Sequence, residues 1–157
     1  MTELTRLIRA PRSEVYAALL DPEAVRRWMV PDGMTSEIHE FDPVEGGTFR
    51  ISLHYDEPTT SGKTSAQTDT FSGRFLRLVP DTEVVQTTEF ETDDPALQGE
   101  MTIAYRLASE LVDDAPATRI TGIHEGLPPG VSEADNNLGW TMSMDNLAHL
   151  VEHPPAG

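Results

Sequence analysis

The apolar residues of this chain change their period along its length, and this change constrains the fold most. From residue 34 to about 125, apolar and polar residues alternate in short runs between turn signals, which is typical of half-buried β-strands. After the turn-rich segment 126–130, apolar residues return at helical spacing, at Trp140, Met144, Leu147 and Val151. The pattern predicts one antiparallel sheet followed by a long helix over about 133–152.

Turn residues divide the period-two region into strands. The clearest strand is 48–55, where four apolar positions alternate with polar ones, and Gly46-Gly47 predicts a hairpin turn before it. Further strands are predicted at 35–41, 70–79, 83–90, 100–108 and 118–125. Residues 56–69 carry almost no large apolar groups, so an exposed, mobile loop is expected there.

The amino-terminal region predicts a strand and two short helices. A strand over 4–8 ends before Pro11, a helix follows over 12–20, and Asp21-Pro22 caps and opens the second helix. The order β-α-α-β-β-β-β-β-β-α contains no βαβ alternation and no internal repeat, which predicts an α+β fold. A single domain is expected over 1–153, with a short tail over 154–157.

Composition excludes several classes of partner. Eleven basic against 27 acidic residues give a formal charge of −16, which repels phosphate backbones and anionic lipid surfaces, so neither nucleic acid nor membrane is an expected partner. The absence of cysteine rules out disulfides and thiolate chemistry and is compatible with a reducing cytosol. With no long apolar run and no signal-peptide core, a soluble, cytoplasmic protein is expected.

Several short motifs resemble those of a known family. They are Ile8–Tyr16 (IRAPRSEVY), Leu20–Trp28 (LDPEAVRRW) with Pro31, Asp42-Pro43 with Gly46–Phe49 (GGTF), Gly73, and Gly139-Trp140. In these positions the chain resembles the Hsp90-ATPase-activator-homologue group of the START-like, or Bet v 1-like, superfamily. The resemblance covers nearly the whole chain and implies a helix-grip fold, in which a curved antiparallel sheet of about seven strands wraps around the C-terminal helix. Members range from lipid carriers to cyclases and co-chaperones, so the fold does not transfer a reaction.

Motifs for catalysis or metal binding are incomplete. Gly62-Lys63-Thr64 resembles the end of a phosphate-binding loop, but Glu57 stands where that loop needs glycine. His124-Glu125 is followed by Gly126 and Pro128, so no second histidine lies one helical turn on, and His39-Glu40 fails in the same way. His149 and His153 are four residues apart at a helix end, where histidine complements the helix dipole. We expect no metal and no cofactor.

The candidate site is a cavity between sheet and helix. Its expected lining combines large apolar groups with a few polar ones: Trp28, Phe49, Ile51, Leu53, Tyr55, Phe71, Gly73, Phe75, Met101, Ile103, Tyr105, His124, Trp140 and Met144. Plain core packing is the alternative for each of them, since an interior filled by these side chains needs no ligand. Tyr55, Tyr105 and His124 are the polar candidates.

His124 has two open roles. It shares a strand face with Ile120 and Gly122, so it enters the cavity if Ile120 points inward, and there it could donate to a ligand carbonyl or move a proton. The alternative is a structural histidine that is hydrogen-bonded at the end of the sheet, or one that faces water.

Three functions remain in competition at this point. The leading one is binding of a small hydrophobic or amphipathic molecule in the cavity. The second is an enzyme of the cyclase, dehydratase or hydrolase type that acts on a hydrophobic substrate. The third is a co-chaperone, although the chain lacks the companion amino-terminal domain of the eukaryotic activator. Assembly as a homodimer is left open.

Overall fold

The computed structural model describes residues 1–30, 34–55 and 68–153. Its elements follow the predicted order: β1 (Thr2–Ile8), α1 (Arg12–Leu20), α2 (Pro22–Trp28), β2 (Met34–Phe41), β3 (Thr48–Tyr55), β4 (Thr68–Val79), β5 (Glu83–Phe90), β6 (Met101–Val112), β7 (Ala115–Glu125) and α3 (Glu133–Glu152). Pro31, the motif Gly62-Lys63-Thr64 and the tail 154–157 lie outside the described residues. So does most of the predicted loop, whose last two residues, 68 and 69, belong to β4.

The seven strands form one antiparallel sheet in the order β1-β7-β6-β5-β4-β3-β2. The sheet curls into a half-barrel around α3, which confirms the predicted helix-grip fold. No helix in the described ranges is both long and apolar enough to cross a bilayer.

The hairpin between β6 and β7 is longer than the sequence predicted. The turn consists of Asp113 and Asp114 alone, both at positive φ (50° and 64°), as a two-residue hairpin loop requires and as Asp tolerates. Pro116 falls between the predicted strands 100–108 and 118–125, whereas it lies in β7 opposite Leu111. A proline fits there because β1 pairs with β7 only as far as Thr118. At position 116 there is no neighbouring strand on the β1 side, so no hydrogen bond to β1 is lost when the backbone N–H is missing.

Side-chain caps fix the starts of α2 and α3. The Asp21 carboxylate accepts from the Glu23 amide (3.1 Å), as the sequence predicted, and the Ser132 hydroxyl accepts from the Asp135 amide (3.2 Å). Both satisfy amides that would otherwise lack a partner at a helix start.

Hydrogen bonds tie the middle of α3 to the end of α2. The Ser143 hydroxyl donates to the Met29 carbonyl (2.9 Å), and the Asn146 amide donates to the Val30 carbonyl (2.7 Å). On the opposite side of α3, Arg6 of β1 pairs with Asp145 at 3.0 Å. The middle of the helix is therefore held against both the residues that follow α2 and the edge strand β1.

Side chains of helix α3 contact the backbone of β7 at Gly122. A Cβ atom there would lie 2.2 Å from Cζ3 of Trp140 and 2.7 Å from Cε of Met144. The approach requires a residue without a side chain, and it places the apolar stripe of α3 on the sheet. Met144 and Leu147 of that stripe are buried.

We expect Gly122→Ala to lower the free energy of unfolding by about 1–3 kcal/mol, because the added methyl group forces Trp140 and Met144 away from the sheet. Gly139→Ala is the matched control, since no atom lies within 4 Å of a Cβ at this position. Alanine in place of glycine inside a helix should raise stability by about 0.5–1 kcal/mol. Urea denaturation of both variants measures the difference, and a Gly122→Ala protein as stable as the parent would contradict the close packing.

Candidate ligand-binding site

The face of the sheet that looks toward α3, called the concave face below, follows from strand register. Directly opposed residues of antiparallel neighbours share a face. Phe75, Gln86, Ile103 and His124 are opposed in turn across β4 to β7. Since Gly122 on the same face of β7 lies under Trp140, this row faces the helix.

The strand residues expected to line a cavity all lie on the concave face. These are Phe49, Ile51, Leu53 and Tyr55 of β3, Phe71, Gly73 and Phe75 of β4, Met101, Ile103 and Tyr105 of β6, and His124 of β7. From the helical side, Trp28, Trp140 and Met144 cover the same face, and all three belong to the core or pack against it.

Burial divides this lining into two halves. Toward α1 the side chains are packed core: Phe49, Ile51 and Phe75 are at most 2% exposed. Phe75 contacts the rings of Phe49 (5.4 Å between centroids) and Phe41 (5.5 Å). Trp28 meets the edge of Tyr105 at 6.1 Å and donates its indole N–H to the Ala18 carbonyl (2.9 Å). These residues belong to the buried core, and a contact of any of them with a ligand stays a prediction.

At the other end of the concave face, five lining side chains are only half-buried, although Met101 (2% exposed), Asp69 (3%) and His124 (6%) at this end are buried. The side chains concerned come from the end of β3, the starts of β4 and β6, and the first half of α3: Leu53, Tyr55, Phe71, Ile103 and Trp140. Four of them, all except Tyr55, still pack against the core. This end, called the open end below, is an apolar surface that the described part of the chain covers incompletely.

His124 is hydrogen-bonded at both ring nitrogens. Nδ1 lies 3.0 Å from Nε1 of Trp140 and 3.2 Å from Nδ2 of Asn136, and both of these groups are donors. Nδ1 must therefore be the unprotonated acceptor, and Nε2 carries the proton and points at Sδ of Met101 (3.1 Å). The protein itself occupies the whole hydrogen-bonding capacity of this ring.

The surroundings of His124 also keep it uncharged. Burial of the imidazole, and after it the charge of the amino terminus, lower the pKa of His124 from 6.5 to about 4. A ring that is neutral near pH 7 and already bonded at both nitrogens favours the structural role over proton transfer. A direct contact of His124 with a ligand stays a prediction.

The two tyrosines differ in their partners. The Tyr55 hydroxyl donates to Oδ2 of Asp69 (2.9 Å), a carboxylate that is only 3% exposed. The Tyr105 hydroxyl makes no hydrogen bond with any described residue, although the side chain is only 6% exposed. Burial raises the pKa of Tyr105, so it remains a neutral hydroxyl.

Sequence reasoning missed three polar residues of the concave face. Gln86 and Thr88 of β5 are 7% and 5% exposed. Asp69 lies near the start of β4, opposite Leu53, on the same concave face. Polar residues occupy both faces of β5, so its alternation does not distinguish inside from outside. Only the pairing of Gln86 with Phe75 and Ile103 identifies its face.

The opposite, convex face carries a polar depression of about 450 Å³. Arg50 of this depression is held by a bidentate pair with Glu91, at 2.9 to 3.1 Å, and the pair lowers the pKa of Glu91. Nearby, Glu37 lies between His39 (3.6 Å) and His54 (3.3 Å). Within the described ranges, no three acidic or histidine side chains surround a common point as metal ligands do.

The depressed pKa of His124 predicts a pH effect on stability. The unfolded chain binds a proton there below about pH 6.5, whereas the folded chain resists it until about pH 4, so stability falls as pH drops through this window. The slope from this residue is at most about 1.4 kcal/mol per pH unit. Urea denaturation from pH 7 to pH 4 measures it, and His124→Gln should remove that share of the slope. His153→Gln, at an exposed position, is the control, and the same pH profile for His124→Gln and the parent would contradict the assignment.

Comparisons with known proteins agree with this architecture. A protein of Chromobacterium violaceum has a solved structure that matches with a TM-score of 0.81 and 32% sequence identity, over 99% of this chain and 97% of that one. An AHSA1-like protein of Aeromonas hydrophila matches with a TM-score of 0.64 and 19% identity, over 99% of both chains. A protein of Rhodobacter sphaeroides matches with a TM-score of 0.72 and 18% identity, over 96% of this chain and 90% of that one. No curated protein matches the sequence.

The family comparison confirms the resemblance seen in the motifs. A family model described as "Activator of Hsp90 ATPase homolog 1-like protein" matches residues 9–152, from the end of β1 to the last residue of α3. The chain therefore belongs to the family of activator of Hsp90 ATPase homologue 1-like proteins.

Proposed function

We propose that this protein binds a small hydrophobic or amphipathic molecule between the concave face and α3. One observation carries the proposal: large side chains of the open end, such as Phe71, Ile103 and Trp140, remain half-buried although they point toward the core. Covering apolar surface contributes roughly 25 cal/mol per Å². A ligand at the open end would gain this energy without displacing the packed half.

The fold supports the same class of function. Proteins with this family's fold commonly bind hydrophobic ligands. The half-buried residues combine apolar and aromatic groups with few polar ones, as small-molecule pockets do.

Polar chemistry on the concave face favours binding over catalysis. An acid–base enzyme needs a group that titrates near neutral pH and can reach its substrate. His124 is neutral and bonded at both nitrogens, and Tyr105 holds its proton. The co-chaperone alternative rests on the family's name alone.

Filling the open end should block the site. We expect Nile red, an uncharged hydrophobic dye, to bind the parent protein with enhanced emission, and Ile103→Trp to weaken that binding at least tenfold by occupying the space. Thr102→Trp places the same side chain one residue away on the exposed convex face and should leave binding unchanged.

Fluorescence titration measures both affinities, and the unfolding midpoint of each variant verifies that it is folded. The proposal fails if the parent does not bind the dye, or if the two tryptophan variants weaken binding equally.

A further inference from the structure

One buried hydroxyl of the concave face has no hydrogen-bond partner among the described residues. It is Oγ1 of Thr88 in β5, a residue that is only 5% exposed. A threonine hydroxyl both donates and accepts, and burying it unpaired costs free energy that a hydrogen bond would recover. The hydroxyl therefore offers hydrogen-bonding capacity to a molecule that is not part of the chain.

The residues opposite Thr88 do not supply this partner. On one side lies Gly73 of β4, which has no side chain, and on the other lies Met101 of β6. The thioether of Met101 is a weak acceptor and lies 3.1 Å from Nε2 of His124, which donates to it. Both opposed residues therefore leave the Thr88 hydroxyl unpaired.

Thr88 lies at the open end of the concave face. Its diagonal neighbours there include Phe71 of β4 and Ile103 of β6, two of the half-buried side chains that form the open end. Diagonal neighbours lie roughly 7–8 Å apart, within reach of large side chains. A change of rotamer at Phe71 or Ile103, an adjustment that is common on binding, brings the hydroxyl within reach of a ligand at the open end.

We propose that Thr88 is the residue that selects among hydrophobic ligands, and that the preferred ligand carries an acceptor oxygen, such as that of a ketone, on its apolar body. An acceptor satisfies the hydroxyl proton, whereas a ligand without one leaves that proton unpaired. The inference rests on the proposed binding function and names the group that the ligand presents to the sheet.

A pair of isosteric probes tests the inference. 2-Acetylnaphthalene and 2-isopropenylnaphthalene share one carbon skeleton, and a ketone oxygen in the first replaces a methylene group in the second. Competition with Nile red, whose own affinity is measured for each variant, gives the Kd of both probes. The ratio of the alkene Kd to the ketone Kd should fall about fivefold or more in Thr88→Val, because valine keeps the shape and removes the donor.

Thr87→Val is the matched control for binding. It makes the same substitution one residue away, on the convex face, opposite Arg74 and Thr102. The ratio of the two dissociation constants should remain that of the parent protein.

Thr118→Val is the matched control for stability. The Thr118 hydroxyl is buried and donates to the Ala10 carbonyl at 2.8 Å. Its removal should lower the urea midpoint, because the carbonyl is left unpaired, whereas Thr88→Val should not lower the midpoint, because no hydrogen bond within the chain is lost.

The outcomes separate the two proposals. An unchanged ratio in Thr88→Val, as expected if solvent water serves the hydroxyl, would overturn the role of Thr88 and leave hydrophobic binding intact. A urea midpoint lowered as far as in Thr118→Val would do the same. Failure of Nile red and of both probes to bind the parent would overturn the binding function itself, and the role of Thr88 with it.

Discussion

The contact between Trp140 and the bare backbone at Gly122 is the constraint on which the rest of the structure depends. It allows the side chains of Trp140 and Met144 to lie against β7, and Met144 and Leu147 of the same helix are buried in the core. The indole N–H of Trp140 donates to Nδ1 of His124. The same imidazole nitrogen faces the side-chain amide of Asn136, one helical turn before Trp140. Steric fit and hydrogen bonding thus fix the start of the helix against the end of the sheet.

The burial of the side chains on the concave face differs between its two ends. Beyond Trp140, toward α1, the concave face is filled by aromatic and branched side chains at core packing. On the other side of the indole, the starts of β4 and β6 present apolar side chains that remain half-buried. His124 belongs to the scaffold that positions Trp140, because its ring accepts a hydrogen bond from the indole.

Local patterns predicted most of the fold because its signals are local. The change from period two to helical spacing, the caps at Asp21 and Ser132, and the face of β3 all depend on residues near in sequence. The β6–β7 hairpin was predicted too short because the effect of Pro116 depends on where β1 stops pairing. The face of Gln86 depends on its pairing with the neighbouring strands, and the role of His124 depends on Asn136 and Trp140 of α3. Spacing within one element does not specify either of them.

Methyl-selective NMR of the isotope-labelled protein, titrated with dodecanamide, tests the central claim most directly. Binding inside the grip predicts shifted resonances for Ile103 at the open end and Met144 of α3, whereas Ile123, on the convex face opposite Ala104, should not move. Unchanged spectra, or shifts confined to Ile123, would contradict a ligand site between the sheet and its C-terminal helix.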